Sequence, residues 1–234
     1  MKTSPRLTTL FRTGCDSQSP ERVGTLGSMS RDAVLEALRR NLPEETPHPN
    51  LANHALEWTR YEDPLSQFET TLRAVGGEFY RVGSVEEAAS LVAEQPENGQ
   101  GKVVCSRVPG VGRTSFDYEG LTDPHELAQV DFAVMPAHFA VAENAACWVT
   151  AATPCDRVVH FLTQHLCLVV HGPMLHNLHE AYARIEADER LHPRSVPFAA
   201  FISGQSKTAD IEQSLVIGAH GSRSLLVVYI DPPA

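Results

Sequence analysis

The amino-acid sequence predicts a three-layer α/β fold with a largely parallel sheet. Nearly continuous apolar runs bounded by turn residues suit strands that are buried on both faces. These runs are VDFAVM, HFAVAENAACWVT, HLCLVV, FAAFIS and LLVVYI. Helical patterns separate many of them, notably over 174–190 and 208–216, and this alternation is typical of a sheet covered by helices. One hairpin is predicted within 131–150.

The composition is that of an ordinary globular protein. Of the 234 residues, 42% are apolar and 21% are charged, which excludes collagen-like, disulfide-scaffold and wholly disordered chains. The net charge of −10 argues against nucleic acid as a partner, because a phosphate backbone attracts basic proteins. Since no apolar run approaches the roughly 20 residues that a membrane-spanning helix needs, we expect a soluble protein with no membrane span.

The five cysteines are spread along the chain, and none forms a Cys-x-x-Cys pair. Cys105 and Cys167 lie inside apolar strand-like runs, where a free thiol behaves as a small hydrophobe. We therefore expect a reducing, cytoplasmic location and no disulfide framework. Iron–sulfur clusters need tight cysteine runs, whereas the nearest pair, Cys147 and Cys155, is separated by a predicted turn at Pro154. No cluster is expected on this chain.

Three segments are predicted along the chain. Residues 1–28 lack periodicity and are interpreted as a disordered extension. Residues 29–62 hold a helix and a linker, since Ser30 can cap an amphipathic helix that Pro43 ends. Residues 63–234 are interpreted as the α/β domain.

The first helices of this domain have clear local signals. Pro64 is suited to the first position of a helix, and Gly76 is suited to its end. Ser84 and Glu87 form a capping-box pattern that predicts a helix over 85–94, and the strand KVVCS follows it.

The segment 201–221, FISGQSKTADIEQSLVIGAHG, is the most informative one. Strand FAAFIS ends at Ser203, a polar loop follows, and a helix is predicted from Thr208. Loops that follow a strand's carboxyl end are where open α/β sheets bind ligands, and amides at a helix start can hold an anion. Asp210 and Glu212 would repel an anion there, and alternatively they only complement the helix dipole. The predicted ligand-binding residues are Ser203, Gly204, Ser206, Lys207, Thr208, Asp210, Glu212, His220 and Glu143.

Glu143 and His220 are the candidate catalytic residues. Glu143 interrupts an apolar stretch, and a buried carboxylate needs hydrogen-bond donors. We expect it to line one pocket with the 203–212 loop, with Lys207 and the loop amides as donors. Alternatively, it is an acid at a hairpin edge that bonds nearby backbone. His220 lies in a Gly-x-His-Gly turn, where it acts as an acid, base or ligand contact, or is held by backbone groups alone.

Two other groups of residues point less specifically to a site. His176 and His179-Glu180 form a His-x-x-His-Glu pattern, which is neither zinc-protease motif, so no metal site is predicted. Arg107 and Arg113 belong to the loop RVPGVGRTS after a predicted strand, which could meet a ligand carboxylate or be a solvated loop.

The segment Ser203-Gly204-x-Ser206-Lys207-Thr208-Ala209-Asp210-Ile211-Glu212, followed by Gly218-x-His220-Gly221, resembles the C-terminal signature of the LUD-domain family. The best-known branch of that family is lactate-utilisation protein C. Ala142-Glu143 matches a weaker motif of the family, although Asn144, Ala145 and Ala146 replace its usual Gly/Thr context. The resemblance spans roughly residues 29–231. It implies a fold like that of NagB, ribose-5-phosphate isomerase and the CoA transferases.

The resemblance also implies a function. This chain is expected to be a subunit or accessory factor of a complex that oxidises L-lactate to pyruvate, binding a small anionic metabolite. Iron–sulfur clusters are expected on partner subunits, with no cofactor on this chain. Two alternatives stay open: an autonomous isomerase, transferase or cyclo-ligase acting on a phosphorylated, CoA-linked or folate-linked substrate, and a non-catalytic ligand-binding protein. Whether this chain catalyses a reaction is left open.

Overall fold

The computed structural model describes residues 31–42, 58–211 and 214–232. The chain divides into two compact units, residues 1–55 and residues 56–234. In the first unit the described element is helix α1, Arg31–Arg40, which confirms the predicted helix and has no buried residue. The predicted disordered extension, residues 1–28, lies outside the described residues.

Four helices of the second unit begin at local capping signals. Asp63 accepts hydrogen bonds from the amides of Leu65 and Ser66, and Ser84 accepts one from the amide of Glu87. The Glu87 carboxylate accepts a hydrogen bond from the amide of Gly83, one residue before Ser84. The helices are α2, Pro64–Ala74; α3, Val85–Ala93; α4, Pro154–Leu162; and α5, Leu178–Ala187. The predicted starts of α2 and α3 are confirmed.

Five parallel strands form the central sheet. They are β1, Glu78–Val82; β2, Val104–Ser106; β3, Phe132–Ala137; β6, His165–Val170; and β11, Ser224–Ile230. Their order in the sheet is β1-β11-β6-β3-β2. All four pairings are parallel, as the continuous apolar runs predicted.

A second sheet holds four strands, which are β4, Phe139–Val141; β5, Ala146–Ala151; β7, Met174–Leu175; and β8, Phe198–Ser203. Their order in the sheet is β7-β4-β5-β8. Strands β4 and β5 form the hairpin that was predicted within 131–150. Strand β8 pairs antiparallel with β5, so FAAFIS is a strand as predicted but belongs to this mixed sheet.

The apolar core divides along the two faces of the central sheet. On one face, Val92 of α3 packs with Val104, Val169 and Val228. On the other face, Leu72 of α2 and Val159 of α4 pack with sheet residues and with one face of the second sheet. The remaining face of the second sheet packs against α5 through Trp148 and Ile185. The layered α/β architecture is thus confirmed, and the second sheet with α5 is added to it.

Two predicted helices are wrong in part or in full. The helix predicted over 174–190 begins only at Leu178, because Met174–Leu175 pairs with β4 as β7. The helix predicted over 208–216 is a hairpin of β9, Lys207–Ile211, and β10, Ser214–Ile217. Leu215, Val216 and Ile217 are three consecutive aliphatic residues, two of them β-branched, which favours an extended strand.

Helix α4 begins where the sequence analysis placed only a turn. Pro154 occupies its first turn, where its missing N–H costs nothing. Thr153 and Asp156 form a reciprocal capping box, with the Thr153 hydroxyl 2.7 Å from the Asp156 carboxylate. Among the described residues, no helix is long and apolar enough to cross a membrane.

Candidate functional site

The loop after β8 is fixed by close backbone approaches. Ser203 donates its hydroxyl to the carbonyl of Asn144 at 2.5 Å, which joins the end of β8 to the β4–β5 turn. Gly204 has a φ of 73°, and a Cβ built on it would lie 2.9 Å from Cγ2 of Val75. The loop is therefore pressed against the last turn of α2, where glycine fits and a side chain does not.

The two halves of the 201–221 signature meet at Ser206. Its amide donates to the carbonyl of Ser222 at 2.9 Å, and its carbonyl accepts from the amide of Gly218 at 3.0 Å. A Cβ on Gly221 would lie 2.9 Å from Cβ of Ser206. The structure thus brings Ser203, Gly204 and Ser206 together with the turn that carries His220, and His220 itself is exposed.

The residues after Ser206 are arranged differently from the prediction. Thr208 lies within β9 and pairs with Val216, so it is not the cap of a helix, and the helix-start amides expected to hold an anion do not exist here. Lys207 is exposed at the start of β9. Asp210 lies in the same strand, and Glu212 lies outside the described residues.

The position of the 203–206 loop relative to the central sheet also differs from the prediction. Gly204 contacts the residue that ends α2, and Ser206 bonds Ser222, two residues before β11 begins. The loop therefore lies at the amino ends of β1 and β11. The rule that placed a ligand at a strand's carboxyl end applies to the parallel sheet, whereas β8 belongs to the mixed one.

Glu143 lies in the β4–β5 turn and bonds helix α5. Its carboxylate accepts from the amide of Leu178, the first residue of α5, at 2.9 Å, and its own amide donates to the carbonyl of His176. A negative charge at this position complements the positive end of the helix dipole. The donor is thus Leu178, whereas Lys207 and the loop amides had been expected. This contact matches the alternative interpretation, in which Glu143 is an acid at a hairpin edge that accepts a hydrogen bond from nearby backbone.

The turn around Glu143 contains unusual backbone. Ala145 has a φ of 52° and is fully buried, in a left-handed region that non-glycine residues rarely adopt. The turn is therefore held in a conformation that its sequence does not favour, and the neighbouring pairing of Ala146 with Ser203 constrains it.

A cavity of about 750 Å³ opens beside the start of α5. Trp58 stacks on the ring of His179 with centroids 3.3 Å apart, and Arg60 pairs with Glu180 at 2.6 Å. Asn177 and Ala183 complete the described lining. Glu143 bonds the amide of Leu178, which lies between the lining residues Asn177 and His179, but Glu143 is not itself a lining residue. Trp58 and Arg60 belong to the predicted linker, which ends at residue 62, so neither was among the predicted site residues.

His176 makes hydrogen bonds to neighbouring backbone and side-chain groups. Nδ1 of His176 accepts from the amide of Tyr61 at 3.0 Å, so that nitrogen carries no proton. Glu180 is engaged by Arg60 and by the amide of His176. Within 31–42, 58–211 and 214–232, no group of three or more His, Cys, Asp or Glu side chains is placed to hold a metal ion.

A second polar cluster lies beyond the carboxyl end of β2. Nε of Arg107 donates to the hydroxyl of Tyr118 at 2.9 Å, and that hydroxyl donates to Asp156 at 2.9 Å. Burial raises the pKa of Tyr118 well above its ordinary range. Burial also acts to raise the pKa of Asp156, but hydrogen bonds from Thr153 and Tyr118 and the charge of Arg107 outweigh it and lower that pKa.

The two arginines of the predicted loop have different roles. Arg113 donates to the carbonyls of Asn98, Gly99 and Lys102, so it fastens the loop. Arg107 faces a cleft of about 370 Å³ that the loop lines. The sequence analysis found this loop but missed Tyr118 and Asp156, and a tyrosine 38 positions from its carboxylate partner leaves no spacing pattern to detect.

The described cysteines are buried thiols. Cys105, Cys147, Cys155 and Cys167 are free, and burial raises the pKa of Cys105 to about 12. Burial raises the pKa of Cys147 and Cys167 further. Because the thiolate is the reactive form, burial disfavours reaction at Cys105, Cys147 and Cys167, which agrees with the small hydrophobes predicted at Cys105 and Cys167.

Comparison with known proteins connects this geometry to a family. Residues 117–230 match the family model of the LUD domain. An uncharacterized protein of Neisseria meningitidis serogroup B is 26% identical over 223 residues, covering 87% of this chain and 94% of that protein. The crystal structure of a DUF162 family protein from Deinococcus radiodurans superimposes with a TM-score of 0.53 and 17% identity. It covers 72% of this chain and 96% of that one, and it shows the same fold. Residues 117–230, just under half of the chain, are therefore similar to the LUD domain.

Proposed function

We propose that this protein is a subunit or accessory factor of an iron–sulfur complex that oxidises L-lactate to pyruvate. The observation that carries the proposal is the LUD-domain match over 117–230, because the family is associated with lactate utilisation. The matched segment contains Glu143, the 203–212 loop and His220, which are all of the sequence-predicted site residues. The proposal places the small anionic ligand beside that loop.

Lactate oxidation releases two electrons and two protons, so the complex needs a group that accepts electrons. Cluster ligation requires cysteine thiolates. Such ligation uses closely spaced cysteines, and the chain has no Cys-x-x-Cys pair. This spacing supports clusters on partner chains, with this chain acting in binding and assembly.

The side chains that this chain would offer to the anion are Lys207 and His220. Both are exposed, and both adjoin the junction at Ser206, whose backbone bonds to Gly218 and Ser222 hold the two segments in register. An ammonium group and an imidazole on either side of this junction suit the carboxylate of a 2-hydroxy or 2-oxo acid.

A genetic experiment tests the role in lactate oxidation. Deleting the gene in its own host is expected to abolish growth on L-lactate as sole carbon source while leaving growth on pyruvate intact. A plasmid copy of the wild-type gene should restore growth. A Lys207→Gln/His220→Gln double variant should not restore growth, whereas Arg190→Gln, which changes an exposed arginine that pairs with Asp188, should. Undiminished growth of the deletion strain on L-lactate overturns the proposal.

Purification tests the assignment of the clusters to partners. The tagged full-length protein from lactate-grown cells is expected to elute with other chains that contain iron and acid-labile sulfide, and to contain neither once separated from them. Turnover of a phosphorylated, CoA-linked or folate-linked substrate by the isolated chain would replace this proposal with that of an autonomous enzyme.

A further inference from the structure

The cleft beyond the carboxyl end of β2 lies where parallel α/β sheets bind their ligands. Its volume of about 370 Å³ falls within the usual range for small-molecule sites. Ser106, Arg107, Gly110, Gly112 and Thr114 are among its lining residues. This cleft is separate from the 203–212 loop, which lies at the amino ends of β1 and β11.

The cleft has a guanidinium group that is held in place and still accessible. Arg107 lies with Cζ 4.3 Å from the centroid of the Tyr118 ring, and its Nε donates to the Tyr118 hydroxyl. The Arg107 side chain is 31% exposed. Stacking and one hydrogen bond fix the plane of the group, while its terminal nitrogens have no hydrogen bond to any described residue.

The two nearby acids make no close ion pair with the guanidinium group of Arg107. Asp156 accepts from Tyr118 at one oxygen and from the hydroxyl and amide of Thr153 at the other. Its distance to Nε of Arg107 is 3.5 Å, longer than a hydrogen bond between charged groups. Glu119 lies 4.0 Å from Nη1 and is 79% exposed, so it is a weak, solvated partner.

The loop adds backbone donors to the same cleft. The amide of Val111 bonds the carbonyl of Val108 in a turn with Gly110 at a φ of 78°, and Gly112 has a φ of 75°. The amides of Gly110 and Gly112 have no acceptor within the part of the chain that the structure describes. Backbone amides that lack an acceptor and belong to residues lining a concave site are available as donors to an anion.

We propose that this cleft binds a small oxyanion, the carboxylate or phosphate group of a metabolite, through the terminal nitrogens of Arg107 and the amides of Gly110 and Gly112. Tyr118 and Asp156 position the guanidinium, which presents two parallel N–H donors that match either oxyanion. The site is independent of the proposed role in lactate oxidation.

An NMR titration of the full-length wild-type protein tests the site without any substitution. The probes are sodium pyruvate and inorganic phosphate, each compared with chloride at the same ionic strength. Saturable shifts are expected at the Gly110 and Gly112 amides and at Nε–H of Arg107, below about 20 mM for a Kd of millimolar order. Saturation by pyruvate alone identifies a carboxylate site, and saturation by phosphate alone identifies a phosphate site.

Substitutions of Arg107 then test whether its guanidinium group binds the anion. Arg107→Gln is expected to weaken binding at least tenfold, and Arg107→Lys is expected to weaken it less, because lysine keeps the charge without the paired donors. Arg60→Gln, which removes an arginine outside this cleft, should leave it unchanged. Absence of saturable shifts at Gly110 and Gly112 with both probes, or shifts confined to Gly218 and His220, overturns the proposal even if Arg107→Gln does not fold.

Discussion

At the amino ends of β1 and β11, Ser206 is held by hydrogen bonds between backbone groups. Beyond the carboxyl end of β2, Arg107 is held by hydrogen bonds between side chains. Ser206 exchanges main-chain hydrogen bonds with Ser222 and Gly218, and Gly204 fits against Val75 because it lacks a side chain. In the other region, Arg107, Tyr118 and Asp156 form a network of side-chain bonds. The first region tolerates no added volume, and the second depends on particular functional groups.

This difference explains why only one of the two regions has a recognisable sequence signature. A region built from backbone contacts needs small residues at fixed positions in a short stretch, and these appear as a motif. A region built from side chains collects single residues from separate elements. Two glycines of the signature, Gly204 and Gly221, are thus explained by close packing against Val75 and Ser206.

The largest expected effect is that of Gly204→Ala. The substitution places a Cβ 2.9 Å from Val75 in a backbone with a φ of 73°. We expect it to lower the free energy of unfolding by about 2–4 kcal/mol, the sum of left-handed strain and overpacking. Urea denaturation followed by circular dichroism measures the change.

Gly120→Ala is the matched control for this prediction. Gly120 has a similar φ of 84°, but a Cβ there would meet nothing within 4 Å. It should cost only the strain, about 1–2 kcal/mol. Equal losses for the two variants would show that the loop after β8 is not tightly packed, and the contrast between the two regions would fail.

Tyr118→Phe tests the side-chain network. Removing the hydroxyl leaves Nε of Arg107 and one oxygen of Asp156 without their partner, and we expect a loss of about 1–2 kcal/mol at neutral pH. Tyr182→Phe is the control, because Tyr182 is exposed and its ring contacts Phe201 at the edge. It should change stability by less than about 0.5 kcal/mol.

The loss of stability in Tyr118→Phe should depend on pH, and the pKa shift of Asp156 gives the sign of that dependence. The pKa of Asp156 is lowered in the folded protein, so its contribution is present above the unfolded pKa of about 3.9 and is lost as pH falls through the folded value. Because Tyr118 supplies part of this lowering, the stability difference between wild type and Tyr118→Phe should narrow from about pH 7 to about pH 3. A constant difference would contradict the bond to Asp156.

The smallest expected effect is a gain in stability from Ala145→Gly. Ala145 has a φ of 52°, which glycine adopts without strain. Relief of strain is opposed by the loss of a buried methyl group and by the greater backbone entropy of glycine in the unfolded chain, so the expected gain is at most about 0.5 kcal/mol. Ala142→Gly in the same turn also loses a buried methyl group but has no such strain to relieve, and it should lose about 1–2 kcal/mol. Thermal unfolding of both variants measures the difference.

Much of the fold could be predicted from short stretches of sequence. The runs HLCLVV and FAAFIS coincide with β6 and β8, and the caps at Asp63 and Ser84 set the starts of α2 and α3. The candidate site was predicted less completely. Ser206 and the His220 turn adjoin each other, whereas Thr208 lies in a strand and Glu143 bonds Leu178.

The sequence by itself determined the strands made of long apolar runs, the starts of several helices and the signature that the chain carries, because these depend on residues within a few positions of one another. Only the tertiary structure decided that β8 joins the mixed sheet, that the 203–206 loop lies at the amino ends of β1 and β11, and that Tyr118 meets Asp156. Ser203 and Asn144 are 59 positions apart, and Arg60 and Glu180 are 120 apart. Such contacts follow from the packing of the two sheets on a shared apolar core, which local patterns do not specify.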